Sequence, residues 1–283
     1  MTITIPSPAK VFTLAGAFSS GIPQGWLLGE LWRSPNTVEA IDYPNTPSNA
    51  NAAAGAAAVN TVLNSYTPSH DVIIYGHSMG AQVIYKWLRE YGPTSTIPTS
   101  KVLFVSTGNP ERKYSGVSVV RPGDYPAAYP GTGGEGVGYG LPTAATPYTV
   151  IDLARQYDFY ADHPTTLANR AAMQNIGSIL CPIHRDYNTV GFNDPRNVVT
   201  VEGNVTYITV PTFPLKMLRF SGWRGREYVT RRDQELRPVI ESAYVRAAGV
   251  PMPDYWGEKS GDRRQTRTVM CSPGRRAFWA GLK

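Results

Sequence analysis

Short apolar runs along the chain alternate with longer stretches whose apolar residues recur at helical spacing. Residues 10–15 (KVFTLA), 72–75 (VIIY) and 101–106 (KVLFVS) are nearly uninterrupted runs of β-branched and aromatic residues, the pattern of strands buried on both faces. Residues 39–43 (EAIDY) predict a short strand closed by Pro44, and 205–210 (VTYITV) a late one. Between them, 52–63 (AAAGAAAVNTVL) is alanine-rich, as a helix favours, and 81–91 reads as an amphipathic helix. Residues 148–157 (YTVIDLARQY) predict a segment ending in a strand, and 233–248 an amphipathic helix with Asp233 or Thr230 available as its cap. This βαβαβ order predicts an α/β domain with a central parallel sheet and helices on both faces.

The rhythm breaks over residues 107–149, which hold nine glycines and six prolines. No regular element of any length fits there, and an insertion of this size is usually a functional loop or a lid. Residues 1–250 therefore read as one domain carrying that insertion, and 251–283, with PMPDYWG and SGDRRQTR, as a loop-rich C-terminal extension.

Charge sharpens that division. Residues 1–215 carry 12 Lys and Arg against 14 Asp and Glu, whereas 216–283 carry 15 against 7. A basic end of this kind is either a solvated surface or a device that steers the protein to an anionic one. Nucleic acid is not indicated, because no zinc finger, RNA-binding aromatic signature or basic zipper helix is present. The N-terminal segment lacks the basic start, apolar run and cleavage site of a secretory signal, and no apolar stretch reaches the roughly 18 residues of a membrane span. Cys181 and Cys271 are too few for a disulfide scaffold and lack metal-ligand spacing; the pair is either bonded or reduced.

Candidate chemistry centres on residues 75–80, YGHSMG, between the predicted strand 72–75 and helix 81–91. Gly-x-Ser-x-Gly at a strand-to-helix junction is a nucleophile elbow, which lifts the serine hydroxyl above the sheet edge. Ser78 is thus the candidate nucleophile, with Gly76 and Gly80 where a Cβ would collide with neighbouring strand or helix. A serine nucleophile needs a base and an orienting acid, which in such folds follow in the order Ser, Asp/Glu, His. Of the four histidines, His70 precedes the elbow strand at the wrong end of the sheet, and His77 inside the elbow packs or bonds locally. His184, on a loop beyond an acidic candidate, is preferred to His163, which lies too close to that candidate to reach the serine. The acid is Asp158, directly after the strand-like LARQY. Asp152 falls earlier in the segment, Asp162 equally suits a helix cap, and Asp186 equally suits a solvated loop.

GHSMGAQV, STGNPER, the glycine-rich loop, RQYDFYADHP, IHRDY and VTYITVPTFPL followed by a helix together resemble the PE-PPE domain, from about residue 10 to 248. That resemblance implies a cutinase-like α/β-hydrolase fold and a mycobacterial serine esterase acting on acyl esters, with Ser78, Asp158 and His184 as its triad. It also implies an oxyanion hole from the N–H of Met79 and one from the loop after the first strand, Ala17 in LAGAF, with no metal and no organic cofactor. A free-standing hydrolase of this type is similar as well to the lysin B esterases of mycobacteriophages. The expected substrate is then the mycolyl ester of cell-wall arabinogalactan, met when lysis releases the protein from the host cytoplasm, with the basic C-terminal segment touching the envelope. An esterase or acyltransferase on other acyl glycolipids, and a non-catalytic envelope-binding module, are the competing expectations.

Overall fold

A computed structural model describes residues 2–65, 71–121, 146–177, 183–219, 221 and 224–255. Seven strands form one sheet: β1 (Ala9–Leu14), β2 (Thr37–Ala40), β3 (Asp71–His77), β4 (Val102–Thr107), β5 (Thr149–Arg155), β6 (Val198–Glu202) and β7 (Val205–Val210). Their order is β2-β1-β3-β4-β5-β7-β6. All neighbours run parallel except β6, which is antiparallel to β7. The α-helices are α1 (Asn49–Ser65), α2 (Met79–Glu90), the single turn α3 (Val117–Val120), α4 (Arg170–Ile176) and α5 (Arg226–Glu241). This is the mainly parallel α/β sheet expected from the alternating pattern, in the α/β-hydrolase arrangement that the resemblance implied.

Period-two alternation sorts the strand side chains onto two faces. Phe12, Leu14, Ile74, Phe104, Val150 and Tyr207 face α1 and α2, where Trp87 stacks on Phe104 at 5.1 Å and Tyr148 closes the cluster edge-on. Val11, Ile73, Tyr75, Val105, Leu153 and Ile208 face the other way. There the cover is of the 3₁₀ kind: the segment Trp26–Trp32, with Tyr187, Val190 and Phe192 beside it. Burial on both sides explains why the central strands read as continuous apolar runs. A third cluster, around Tyr157, Leu215, Leu218, Val229, Ile240 and Tyr244, ties α4 and α5 to the chain leaving β5 and β7.

Three expectations are corrected. The short strand occupies Thr37–Ala40 and not 39–43, because the register against β1 pairs Lys10 with Thr37 and Thr13 with Ala40. Helix α5 starts at Arg226, seven residues earlier than expected, and ends at Glu241. Asp233 and Thr230 lie inside it, and Asp233 is buried, accepting from Leu215 N and pairing with Arg237. The N-cap is Gly225, at φ 86°. The unforeseen strand β6 forms a hairpin with β7 through Gly203, at φ 55°, and Asn204. A Gly-Asn pair between two alternating stretches is a hairpin signal the sequence does carry. The 251–283 extension lies outside the described residues from 256 onward, as do Cys181, Cys271, His70 and residues 122–145 of the insertion.

Candidate active site

The elbow is built by steric exclusion. A Cβ on Gly76 would come 2.4 Å from Gly80 O, and one on Gly80 would come 2.2 Å from Leu14 O. Strand β3, helix α2 and strand β1 can close on each other only because both positions lack side chains. Ser78 sits at the turn with φ 55° and ψ −115°, a strained backbone costing of order 1–3 kcal/mol. It is held by its N–H donating to Thr107 O, and its carbonyl accepts from Ala81 and Gln82. Helix α2 begins at Met79, so the N–H groups of Met79 and Gly80 lie in the first turn, where no intrahelical acceptor exists. The loop after β1 presses on the same point: a Cβ on Gly16 would lie 3.1 Å from the Ser78 Cβ. Ala17 follows directly, partly buried.

Asp158 lies just past the carboxyl end of β5 and is fully buried. Its carboxylate accepts from His184 Nδ1 at 2.9 and 3.0 Å and from Tyr160 N at 2.9 Å. Burial pushes the Asp158 carboxyl up, but the charge and hydrogen bond of His184, the Tyr160 N–H and the nearby Lys216 ammonium outweigh it. The group ends below the usual carboxylate range. His184 rests on a 3₁₀ turn, Ile183–Arg185, between Tyr160 and His77, at ring-centroid distances of 4.5 and 4.7 Å. His77 immediately precedes Ser78, so the Asp158–His184 pair abuts the elbow.

His77 packs as expected. It bonds Thr107 Oγ1 through Nδ1 and meets Trp26 edge-on at 4.7 Å. Burial, and then the charges of His184 and Arg185, hold its pKa well below the usual histidine value, so the ring is neutral. His163 is buried with partners of its own: Nδ1 faces Pro164 O, the backbone N–H donates to Ser115 O, and Phe159 packs edge-on. The other aspartates also have structural partners. Asp152 is held by Tyr85 and Asn109. Asp162 caps no helix and instead accepts from Tyr157 N and pairs with Arg246. Asp186 pairs with Arg155 where a solvated loop residue was the alternative.

Three neighbours of the site went unnoticed in the sequence. Gly108, in STGNPER, has φ 60°, and a Cβ there would lie 2.9 Å from both His77 Cε1 and His184 Cε1. Lys216 is buried near Asp158; burial pushes its pKa down to about 8 although Asp158 pulls the other way. Trp26 opens a segment in which Leu27, Leu28 and Gly29 all have positive φ, at 55°, 55° and 70°. Each non-glycine residue in that region costs about 1–2 kcal/mol. Leu27 N donates to Tyr187 O, which braces the turn carrying His184. Of these, only the glycine had a readable signal, its place in a strand-end STGNP stretch.

Among the described residues no cluster of His, Cys, Asp and Glu could hold a metal, and no helix is long and apolar enough to cross a membrane.

A strained serine at a strand-to-helix turn, beside a bonded Asp–His pair at the carboxyl edge of a mainly parallel sheet, defines the class: a serine-elbow α/β-hydrolase fold. Within that class the chain belongs to the PE-PPE domain family, which matches residues 30–245. The match begins after β1, so Gly16 and Ala17 lie ahead of it. Among solved structures, a cutinase-like protein from Cryptococcus sp. is 20% identical, over 56% of this chain and 82% of that one, with a TM-score of 0.40. The catalytic core of acetyl xylan esterase from Trichoderma reesei is 16% identical, over 84% and 98%, with a TM-score of 0.36. An esterase from Pyrococcus furiosus is 16% identical, over 82% of each chain, with a TM-score of 0.40. No curated protein matches the chain.

Proposed function

We propose that this protein is a serine carboxylic-ester hydrolase, with Ser78 as nucleophile, His184 as base and Asp158 as the orienting acid. The observation that carries the reading is the Asp158–His184 hydrogen bond of 2.9 Å beside a serine held at φ 55°. With Nδ1 engaged by Asp158, Nε2 is the imidazole nitrogen that takes the Ser78 proton as Oγ attacks the ester carbonyl. The N–H groups of Met79 and Ala17 receive the oxyanion; Met79 has the helix N-terminus behind it. Collapse of the tetrahedral adduct breaks the bond to the alcohol, which leaves with the proton from His184. Water, deprotonated by the same imidazole, then releases the acid from the acyl-serine.

The finer reading is a mycolyl ester of cell-wall arabinogalactan, cleaved when phage lysis brings the protein to the envelope. Family membership supports an envelope lipid as substrate, and the excess of Lys and Arg over residues 216–283 supports attraction to an anionic envelope. The test is a substrate panel running from short p-nitrophenyl esters to purified mycolyl-arabinogalactan, with the wild type and Ser78→Ala. Release of mycolic acid by the wild type alone is expected. Turnover of short esters without mycolate release transfers the reading to other acyl glycolipids, as esterase or acyltransferase. Envelope binding without turnover of any ester leaves a binding module. Neutralising Arg263, Arg264 and Arg267 should leave short-ester turnover unchanged and weaken envelope binding, with the wild-type advantage shrinking as salt screens the field. Equal binding at low salt would retire the steering role.

A further inference from the structure

Two motifs singled out in the sequence, RQYD and HRDY, carry more than an acid and a base. Arg155 is the last residue of β5 and is almost fully buried. Its backbone carbonyl accepts from Asp158 N at 3.0 Å. Its guanidinium donates from Nε to the Asp186 carbonyl at 2.6 Å, and from Nη2 to the Asp186 carboxylate at 2.9 Å and to Thr189 Oγ1 at 3.5 Å. Asp186 lies two residues beyond His184, and its own N–H donates to Ile183 O at 3.0 Å, closing the turn around the histidine. One side chain and its backbone therefore grip both halves of the Asp158–His184 pair, which are separated by 26 residues in the chain.

We infer that Arg155 and Asp186 form a positioning pair, which sets the His184 imidazole at bonding distance from Asp158; the inference rests on the esterase reading above. A buried ion pair is weak as a source of stability, since apolar residues of similar volume often do as well. Its strength is geometric: a planar guanidinium fixes a carbonyl and a carboxylate in one orientation, which lysine does not reproduce. Arg219, also buried, faces the pair as a second cation, so the Asp186 carboxylate is the local counter-charge. A further brace, Leu27 N to Tyr187 O, acts on the backbone one residue beyond Asp186.

The test compares wild type, Asp186→Asn and Arg155→Lys. The readouts are kcat and KM for a short p-nitrophenyl ester, the thermal melt, and the His184 Nδ1–H resonance by nitrogen-edited NMR, with active sites counted by a fluorophosphonate. Misplacing a catalytic group by about 1 Å costs up to about 100-fold. Asp186→Asn should lower kcat per titrated site by about 10- to 100-fold on that basis, leave KM unchanged, and broaden or shift the Nδ1–H resonance in a protein that still melts cooperatively. If Asp186→Asn does not fold, Arg155→Lys decides: it keeps the charge, loses one arm of the fork, and should show the same changes to a smaller degree. Wild-type kcat per site with an unmoved resonance, even alongside a lowered melting temperature, would overturn the inference and leave the pair a packing feature. Absence of ester turnover in the wild type would instead overturn the esterase reading. The resonance would still report whether Arg155 and Asp186 set the histidine.

Discussion

At the serine end of the site, the contacts that matter are made within five residues of sequence or against the two strands flanking β3: Gly76 on Gly80, Gly80 on Leu14, Gly16 on Ser78 and Ser78 N on Thr107 O. At the aspartate–histidine end they reach far along the chain. Gln156 bonds Thr212 N, Arg237 and Glu241; Asp162 bonds Arg246; Arg155 bonds Asp186. The first end is built by leaving atoms out, the second by buried hydrogen bonds and ion pairs from α5 and its flanks. A serine must be held in a strained turn, which close backbone packing over-determines. An imidazole must be aimed, and a network of directional bonds does that across elements that do not adjoin in sequence.

On the proposed mechanism, the largest effects should come from the reacting groups, whichever end they belong to. Ser78→Ala and His184→Ala should each lower ester turnover by roughly 10⁴- to 10⁶-fold, with little further loss in the double variant, because members of one catalytic unit are strongly non-additive. A fluorophosphonate should label Ser78 and no other serine. His163→Ala serves as the control, since its partners Pro164, Ser115 and Phe159 make it a packing residue. It should lower the melting temperature and leave kcat per labelled site within a few-fold of wild type, an effect of the size expected for a cavity. Inactivity confined to His163→Ala would reassign the base.

Next in size, and separating the two ends directly, is a single methyl group. Gly80→Ala would place a Cβ 2.2 Å from Leu14 O, an overlap that neither β1 nor α2 can relieve without breaking the sheet register. It should cost about 3 kcal/mol or more, read as a fall in denaturant midpoint or loss of soluble protein. At the opposite end, Asp162→Asn keeps the shape and an acceptor for Tyr157 N and removes only a charge facing Arg246, and should leave a folded protein. A Gly80→Ala protein with wild-type stability would show that the elbow is not held by exclusion.

This contrast also explains what the sequence disclosed. The elbow was legible because its five letters and their flanking periodicities are the structural cause themselves. Asp158 was legible as an acid just beyond a strand, and His184 by elimination among few histidines. The pairing of Arg155 with Asp186 was not, because a contact between distant residues leaves no local period; Arg155 looked like an ordinary charged neighbour, and Asp186 like a spare acid or a solvated loop residue. Asp233 misled for the same reason: an aspartate before an amphipathic run reads as a cap, whereas here it is the buried partner of Arg237. Residues 26–29 gave no warning either, since left-handed leucines have no sequence signature and are imposed by the packing of Trp26 and Leu27.

The remaining effect, a slope against pH and not a loss at one pH, probes the network end through proton linkage. Lys216 is buried, donates from Nζ to Ile176 O at 2.7 Å, and has its pKa pushed down from lysine's usual 10.5 to about 8 by burial, which the Asp158 charge only partly offsets. Between those two values the unfolded chain holds a proton that the folded protein has released, so stability rises with pH across that window. Below about pH 8 both states are protonated, and the full penalty of burying the ammonium is present. Lys216→Met removes the titrating group while keeping most of its length. The variant's stability relative to wild type should therefore be greatest below about pH 8 and decline as pH rises toward 10.5. At about 1.4 kcal/mol per pKa unit, the change across the window is on the order of 3 kcal/mol. Lost bonding to Ile176 O shifts the whole difference by a constant and leaves its slope, so denaturant midpoints of the two proteins at a series of pH values isolate the linkage. A difference that stays flat from pH 7 to 10.5 would mean that Lys216 titrates as it does in water, and that the floor beneath Asp158 is wetter than its burial implies.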